Sequence, residues 1–135
     1  MRIVVLDVKT LGEGVVLDAL EAVGNLTSYP LTAPDEIADR IKNADVVIVN
    51  KIRLNESNLH GAKHLKLICV AATGYDNIDT AYCRDHGIAV CNVVGYSTDS
   101  VAQLTIGLAL NLLMHLPYFN GFVRSEEHTS ELQSR

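Results

Sequence analysis

The 135-residue chain is 48% apolar, with a formal net charge of −5 and a pI near 5.4. That is enough for one respectable core and one ordinary domain, and too little for a complete two-domain enzyme. The acidic balance is interrupted by no basic run, which argues against a phosphate-backbone partner and so against nucleic acid.

In chain order, Ile3 to Leu6 is a short β-branched run that suits a parallel strand buried on both faces. No apolar leader or small-residue cleavage site precedes it, so no secretory signal is expected. A helix is predicted over Val15 to Val23, with Val16, Leu17, Leu20 and Val23 on one face, then a weaker strand candidate at Leu26 to Tyr29. Pro34 to Asn43 reads as the next helix, with Thr32 or Ala33 ahead of the proline at its start. Strands at Val46 to Val49, Leu67 to Ala71 and Ile88 to Cys91 continue the pattern. Between the last two, Thr80 to His86 reads as a helix, capped by Asp79 and ended by Gly87, which tolerates the left-handed conformation there.

A further helix opens near Thr98 to Ser100, where Ser100 and Gln103 have capping-box spacing and Asp99 favours the positive helix end. It runs apolar nearly all round from Val101 to Leu116 and is expected to stop at Pro117. This stretch is shorter than the roughly 20 residues needed to span a bilayer, and it contains Gln103, Asn111 and His115, so no membrane span is expected. A helix apolar on every side has to be covered everywhere, by another domain or another subunit. The strand and helix alternation implies βαβ units with right-handed crossovers. The expected fold is α/β, an open parallel sheet of flavodoxin-like or Rossmann-like character with helices on both faces.

Cys69, Cys83 and Cys91 form no CxxC pair. Cys69 and Cys91 sit in apolar runs, where a free thiol behaves as a small hydrophobe, and this usage points to a reducing cytoplasm. The last segment, Arg124 to Arg135, is polar and lacks apolar periodicity. Its string Arg-Ser-Glu-Glu-His-Thr-Ser-Glu-Leu-Gln-Ser resembles the in-frame translation of a common sequencing-library adapter, so a non-native tail is expected there.

The stretch richest in chemistry is Val70-Ala71-Ala72-Thr73-Gly74-Tyr75-Asp76-Asn77-Ile78-Asp79, which follows a buried strand and leads into a helix. Ligands of open α/β sheets bind at the carboxyl ends of strands. The small residues Ala71, Ala72 and Gly74 let a ligand approach the main chain, whose N–H groups can cradle a carboxylate. On spacing alone, an ordinary strand-to-helix turn that needs Gly for its geometry accounts for it as well.

Thr73-Gly74-Tyr75-Asp76-Asn77-Ile78-Asp79 resembles the Gly-x-Asp-Asn-Ile-Asp signature of the D-2-hydroxyacid dehydrogenase family. Asn50-Lys51, after Val46 to Val49, is similar to the polar pair that the family places at the preceding strand end. Gly87-Ile88-Ala89-Val90-Cys91-Asn92 is similar to the family's last substrate-domain strand, and Gly95-Tyr96-Ser97-Thr98-Asp99-Ser100-Val101-Ala102-Gln103 follows it. The resemblance covers Met1 to about Val123 and implies a substrate domain over residues 1–97, a linking helix and the start of a truncated NAD-binding domain over 98–123, and the suspect tail over 124–135.

The resemblance also implies a role for particular residues. The backbone of Thr73 and Gly74 would hold the carboxylate of a 2-oxoacid, with Asn50 and Lys51 lining the same pocket and Thr73 and Val101 near an NAD cofactor, NADP remaining open. Asn-Lys in place of the commoner Arg-Ser, together with Tyr-Ser-Thr-Asp-Ser-Val-Ala-Gln, looks most like glycerate dehydrogenases (hydroxypyruvate reductases). Phosphoglycerate, lactate or broad 2-oxoacid branches are the alternatives. Members reduce the carbonyl by hydride transfer from NADH while an Arg binds the substrate and a His, held by an acidic residue, donates the proton. Those residues follow the nucleotide-binding domain in the family, so no catalytic residue is assigned here and the fragment alone is expected to be inactive. The full-length parent would be a cytoplasmic homodimer.

Other candidates are weaker. His60 and His64 are four apart and could share a helix face, but no third ligand accompanies them, so no metal site is assigned. Asp76 and Asp79 read as structural, His86 as a helix-end residue and His115 as an interface or surface residue; His128 falls in the suspect tail. A phosphorylation-controlled receiver domain would need an acidic cluster after the first strand and an aspartate after the third; this chain has a lone Asp7 and Asn50. A corepressor-type relative that keeps the fold for partner binding and cofactor sensing stays open.

Overall fold

The computed structural model describes residues 1–125. The adapter-like string from Glu126 onward, including His128, lies outside the described residues. The chain divides into two compact units, one of Met1–Tyr96 and one beginning at Ser97.

The first unit alternates strands and short helices: β1 (Arg2–Val5), α1 (Asp18–Glu21), β2 (Asn25–Ser28), α2 (Ile37–Ile41), β3 (Val46–Val49), α3 (Glu56–Leu59), β4 (Leu67–Val70), α4 (Thr80–Asp85) and β5 (Ala89–Asn92). All four pairings are parallel and the strand order is β2-β1-β3-β4-β5, the open α/β sheet expected of the alternation. From β1 the chain winds outward first through β2 and then, reversing, through β3, β4 and β5. The carboxyl ends of β1 and β3 therefore flank the switch point, where open sheets leave a crevice.

Alternate strand residues Val4, Leu6, Val47, Val49, Ile68 and Val70 point into one core, which α2, α3 and α4 close with Ile37, Ile41, Leu59 and Cys83. Leu6, Ile41, Val47, Val49 and Ile68 are fully buried, each worth about 1.5–3 kcal/mol of transfer free energy. On the opposite sheet face Ile3 and Val5 are buried, whereas Ala89 and Cys91 on the β5 edge are exposed.

Several sequence expectations need correction. The helix expected over Val15 to Val23 contracts to Asp18–Glu21; Leu17 and Leu20 are half-buried, while Val16 and Val23 stay exposed. Two neighbours limit it. Gly14 has a left-handed φ of 80° ahead of it, and behind it the chain must enter β2 past Gly24, where a Cβ would stand 2.5 Å from the Met1 carbonyl oxygen. The helix expected over Pro34 to Asn43 is regular only at Ile37–Ile41; Pro34 to Glu36 form a turn, closed by the Ala33 N–H donating to Glu36 Oε2 at 2.9 Å. His60 ends α3 and His64 lies in the following turn, so the two do not share a helix. α4 is capped as expected, Asp79 Oδ1 accepting the Tyr82 N–H at 3.0 Å, and Gly87 follows it with a φ of 69°.

The second unit contains α5 (Thr98–Leu113) and α6 (Leu116–Arg124), bent by 61°. The single helix expected as far as Leu116 is therefore two. The break falls at His115, whose φ is 50°, and Pro117 sits in the first turn of α6 rather than after a helix end. Proline suits that position because the first N–H groups of a helix have no intrahelical partner. The Ser100 capping box does not form: Ser97 is the cap and its side chain makes no capping bond. Leu104, Ile106, Leu108, Leu110, Leu112 and Leu113 on α5 are all exposed. No single described helix is long and apolar enough to cross a membrane.

Candidate functional site

At the switch point the chain places Asp7, to which the sequence reading assigned no role in a site. Asp7, immediately after β1, is 1% exposed, and its carboxylate accepts the main-chain N–H of Asn50 at 3.0 and 3.2 Å and that of Lys51 at 2.7 Å. A buried carboxylate is tolerable only when it is hydrogen-bonded. The Asn50 side chain meanwhile donates through Nδ2 to the Thr10 carbonyl at 2.8 Å and to Thr10 Oγ1 at 3.0 Å. The amide expected to face a ligand is thus engaged with the loop after β1. These bonds hold the turn after β3 from two sides and leave Lys51 exposed at its rim.

The turn after β4 is stitched to this one. Asn77 Nδ2 donates to the Ile52 carbonyl at 2.8 Å and reaches the Asn50 carbonyl at 3.4 Å. The Leu54 N–H donates to the Asn77 carbonyl, and the Asp79 N–H to the Leu54 carbonyl, each at 2.9 Å. On its other side, Asn92 Nδ2 at the end of β5 donates to the Thr73 carbonyl at 2.7 Å. Several of its acceptors are thereby used, but three successive main-chain donors are not. Among the described residues, the main-chain N–H groups of Thr73, Gly74 and Tyr75 meet no acceptor. Exposed N–H groups in succession make a concavity suited to an anion.

Between the two turns lies a cavity of about 260 Å³ lined by Asn50, Lys51, Ala72, Gly74, Asp76 and Asn77. The structure therefore brings Asn50, Lys51 and Gly74 together; Thr73 adjoins them in the chain but does not line the cavity. Val101 belongs to α5 in the second unit, where its N–H donates to the Ser97 carbonyl at 2.8 Å. Gly74 is not in the left-handed region, and a Cβ there would meet only Asp76 Oδ1, at 3.2 Å. Its smallness thus serves approach to the main chain and not turn geometry. Lys51 also borders a second cavity of about 650 Å³, whose lining includes Thr32, Arg53 and Asn58.

Four residues named in the sequence reading have roles here that it did not assign: Asp7, Asn77 and Asn92 hold the two turns, and Asp76, read as structural, lines the cavity. A lone acidic residue directly after a buried strand was the available signal for Asp7. Of the histidines, His86 stacks on Tyr82 with ring centroids 3.9 Å apart, as suits a helix-end residue, and His60 Nδ1 lies 3.0 Å from the Ser57 carbonyl. Among the described residues no three His, Cys, Asp or Glu side chains come close enough to hold a metal ion. Thr73 belongs to the first unit and Val101 to the second.

The family model described as D-isomer specific 2-hydroxyacid dehydrogenase, catalytic domain, matches residues 4–135. A hydroxypyruvate reductase of Blautia hydrogenotrophica is 36% identical over 128 residues, covering 91% of this chain and 39% of that protein. A D-3-phosphoglycerate dehydrogenase of Methanocaldococcus jannaschii is 35% identical over 99 residues, 73% of this chain and 19% of the relative. Among solved structures, the D-lactate dehydrogenase of Aquifex aeolicus complexed with NAD and lactic acid superposes with a TM-score of 0.75 at 27% identity, covering 92% of this chain and 37% of that one. The chain thus spans well under half the length of these relatives.

Proposed function

Because the chain belongs to the D-isomer specific 2-hydroxyacid dehydrogenases, we propose that it is the carboxylate-gripping part of an oxidoreductase that interconverts a D-2-hydroxyacid and its 2-oxoacid, with D-glycerate and hydroxypyruvate as the preferred pair. The observation that carries this reading is the small cavity between the turns after β3 and β4, which Lys51 and Gly74 both line and where the Gly74 N–H lacks an acceptor. A carboxylate entering it gains charge-assisted bonds from both sides, worth about 1.5–3 kcal/mol for a bond to a charged group. Asp76, of the same sign as the ligand, opposes entry, so Lys51 is needed to balance the field.

In this reading a nicotinamide dinucleotide supplies the hydride when bound, with Thr73 and Val101 near it, and no described residue is assigned the proton transfer. What this chain does is orient the substrate. Asp7 fixes the Lys51 main chain, and Asn77 and Asn92 fix the turn at Thr73 and Gly74, so the carboxylate is presented in one geometry. The exposed apolar surface of α5 supports a homodimeric parent in which that helix is covered.

The choice of hydroxypyruvate rests on Asn50-Lys51 in place of the commoner Arg-Ser and on the likeness to a hydroxypyruvate reductase. A second reading, a longer or phosphorylated 2-oxoacid, is favoured by the 650 Å³ cavity that Lys51 shares with Arg53, a second cation. Steady-state kinetics of the whole enzyme carrying this chain separate the two. The first expects the highest kcat/KM on hydroxypyruvate, and a phosphorylated 2-oxoacid reduced more efficiently would replace it with the second.

A further inference from the structure

Cys69 and Cys91 are direct partners in the ladder between β4 and β5. Residues paired in this way project to the same face of the sheet, and neighbouring strands lie about 4.8 Å apart. That falls within the roughly 4.4–6.8 Å between Cα atoms that a disulfide spans. The face they share is not the one filled by the core: Cys83 belongs to the core cluster, whereas Cys69 and Cys91 do not. Cys91 is exposed and Cys69 half-buried.

We propose that Cys69 and Cys91 form a redox-responsive dithiol that closes into a cross-strand disulfide by exchange with a low-molecular-weight disulfide such as oxidised glutathione. The order of events follows from exposure. The Cys91 thiolate attacks one sulfur of the small disulfide, forming a mixed disulfide and releasing one small thiolate. Cys69 then loses its proton to solvent and attacks the Cys91 sulfur, releasing the second. Two protein thiols are oxidised, one small disulfide is reduced to two thiols, and no other oxidant is needed. Cys69 suits the second role because it is half-buried, and burial pushes its thiol up, with a further rise from Cys91 beside it. A disulfide at an exposed sheet edge is of the labile, reversible kind. It would stand one residue from Asn92, which holds the Thr73 carbonyl. The inference rests on the register of β4 and β5 and stands whether or not the cavity binds a 2-oxoacid.

The test incubates the 135-residue chain with oxidised glutathione near the ordinary thiol pKa of about 8.5 and follows it by intact mass and peptide mapping. The wild type is expected to lose the mass of two hydrogens, retain no glutathione, and yield one crosslinked peptide pair containing Cys69 and Cys91, reversed by dithiothreitol. Cys69→Ser should stop at a stable glutathione adduct on Cys91, and Cys83→Ser should close like the wild type. A wild-type chain that stops at the adduct, crosslinks through Cys83, or joins two chains through Cys91 would overturn the proposal.

Discussion

Replacing Asp7 tests how the site is held. Its carboxylate is the acceptor for two N–H groups 43 and 44 residues away, at 2.7–3.2 Å, from a position that is 1% exposed. Asp7→Ala leaves the buried Asn50 N–H without an acceptor, at about 1–3 kcal/mol, and removes the acceptor of the part-buried Lys51 N–H as well. Asp7→Asn keeps one oxygen but loses the charge, so its cost is about 1.5–3 kcal/mol, the value of a hydrogen bond to a charged group. For a unit of this size, each 1 kcal/mol moves Tm by roughly 4–8 °C. Urea and thermal unfolding of the chain read the global loss, and hydrogen exchange reads the local one: the Lys51 amide should lose protection in Asp7→Asn before the amides of β4 do. An Asp7→Ala chain within about 0.5 kcal/mol of the wild type, with Lys51 still protected, would refute the reasoning.

Three further outcomes are expected. Gly74→Ala should leave stability nearly unchanged, because the new Cβ meets only the movable end of Asp76; Gly74→Val in the whole enzyme should lower kcat/KM for the 2-oxoacid with cofactor affinity near wild type, as fluorescence titration would show. The hydrogen bond from the Arg2 main-chain N–H holds the Asp45 carboxyl below its ordinary range. Its contribution to stability is present above the unfolded-state pKa and is lost as pH falls through the folded value, so Asp45→Asn should be less stable than wild type near neutral pH, with the gap closing on acidification in urea melts. The chain expressed alone should self-associate through the exposed leucines of α5, giving a mass above the monomer by light scattering at high concentration; a monodisperse monomer would count against it.

β1, β3 and β4 were readable because they are short apolar runs, whereas β2, Asn-Leu-Thr-Ser, gives only a weak signal; the parallel sheet follows from the alternation of strands with helices. The turns at Gly87 and Asp79 were readable because their chemistry is local. What escaped depends on distant partners. Asp7 acquires its meaning only when β1 and β3 lie side by side, and the Asn50 side chain is turned away by Thr10, forty residues earlier. The apolar stripe of Val15 to Val23 spans a helix, but between Gly14 and the entry into β2 only Asp18–Glu21 is regular. Pro117 fits the first turn of a helix as well as the end of one, so local rules alone do not choose between them.

The central claim is that Lys51 and the turn at Thr73 and Gly74 grip a 2-oxoacid carboxylate. It is tested most directly by amide nitrogen and proton shifts of the labelled chain during titration with hydroxypyruvate, for the wild type and for Lys51→Ala. The account predicts saturable shifts centred on Lys51, Thr73 and Gly74, with an apparent Kd weakened roughly 10- to 150-fold by the substitution, the equivalent of about 1.5–3 kcal/mol. Shifts that map elsewhere on the sheet, or a Kd that Lys51→Ala leaves unchanged, would contradict it.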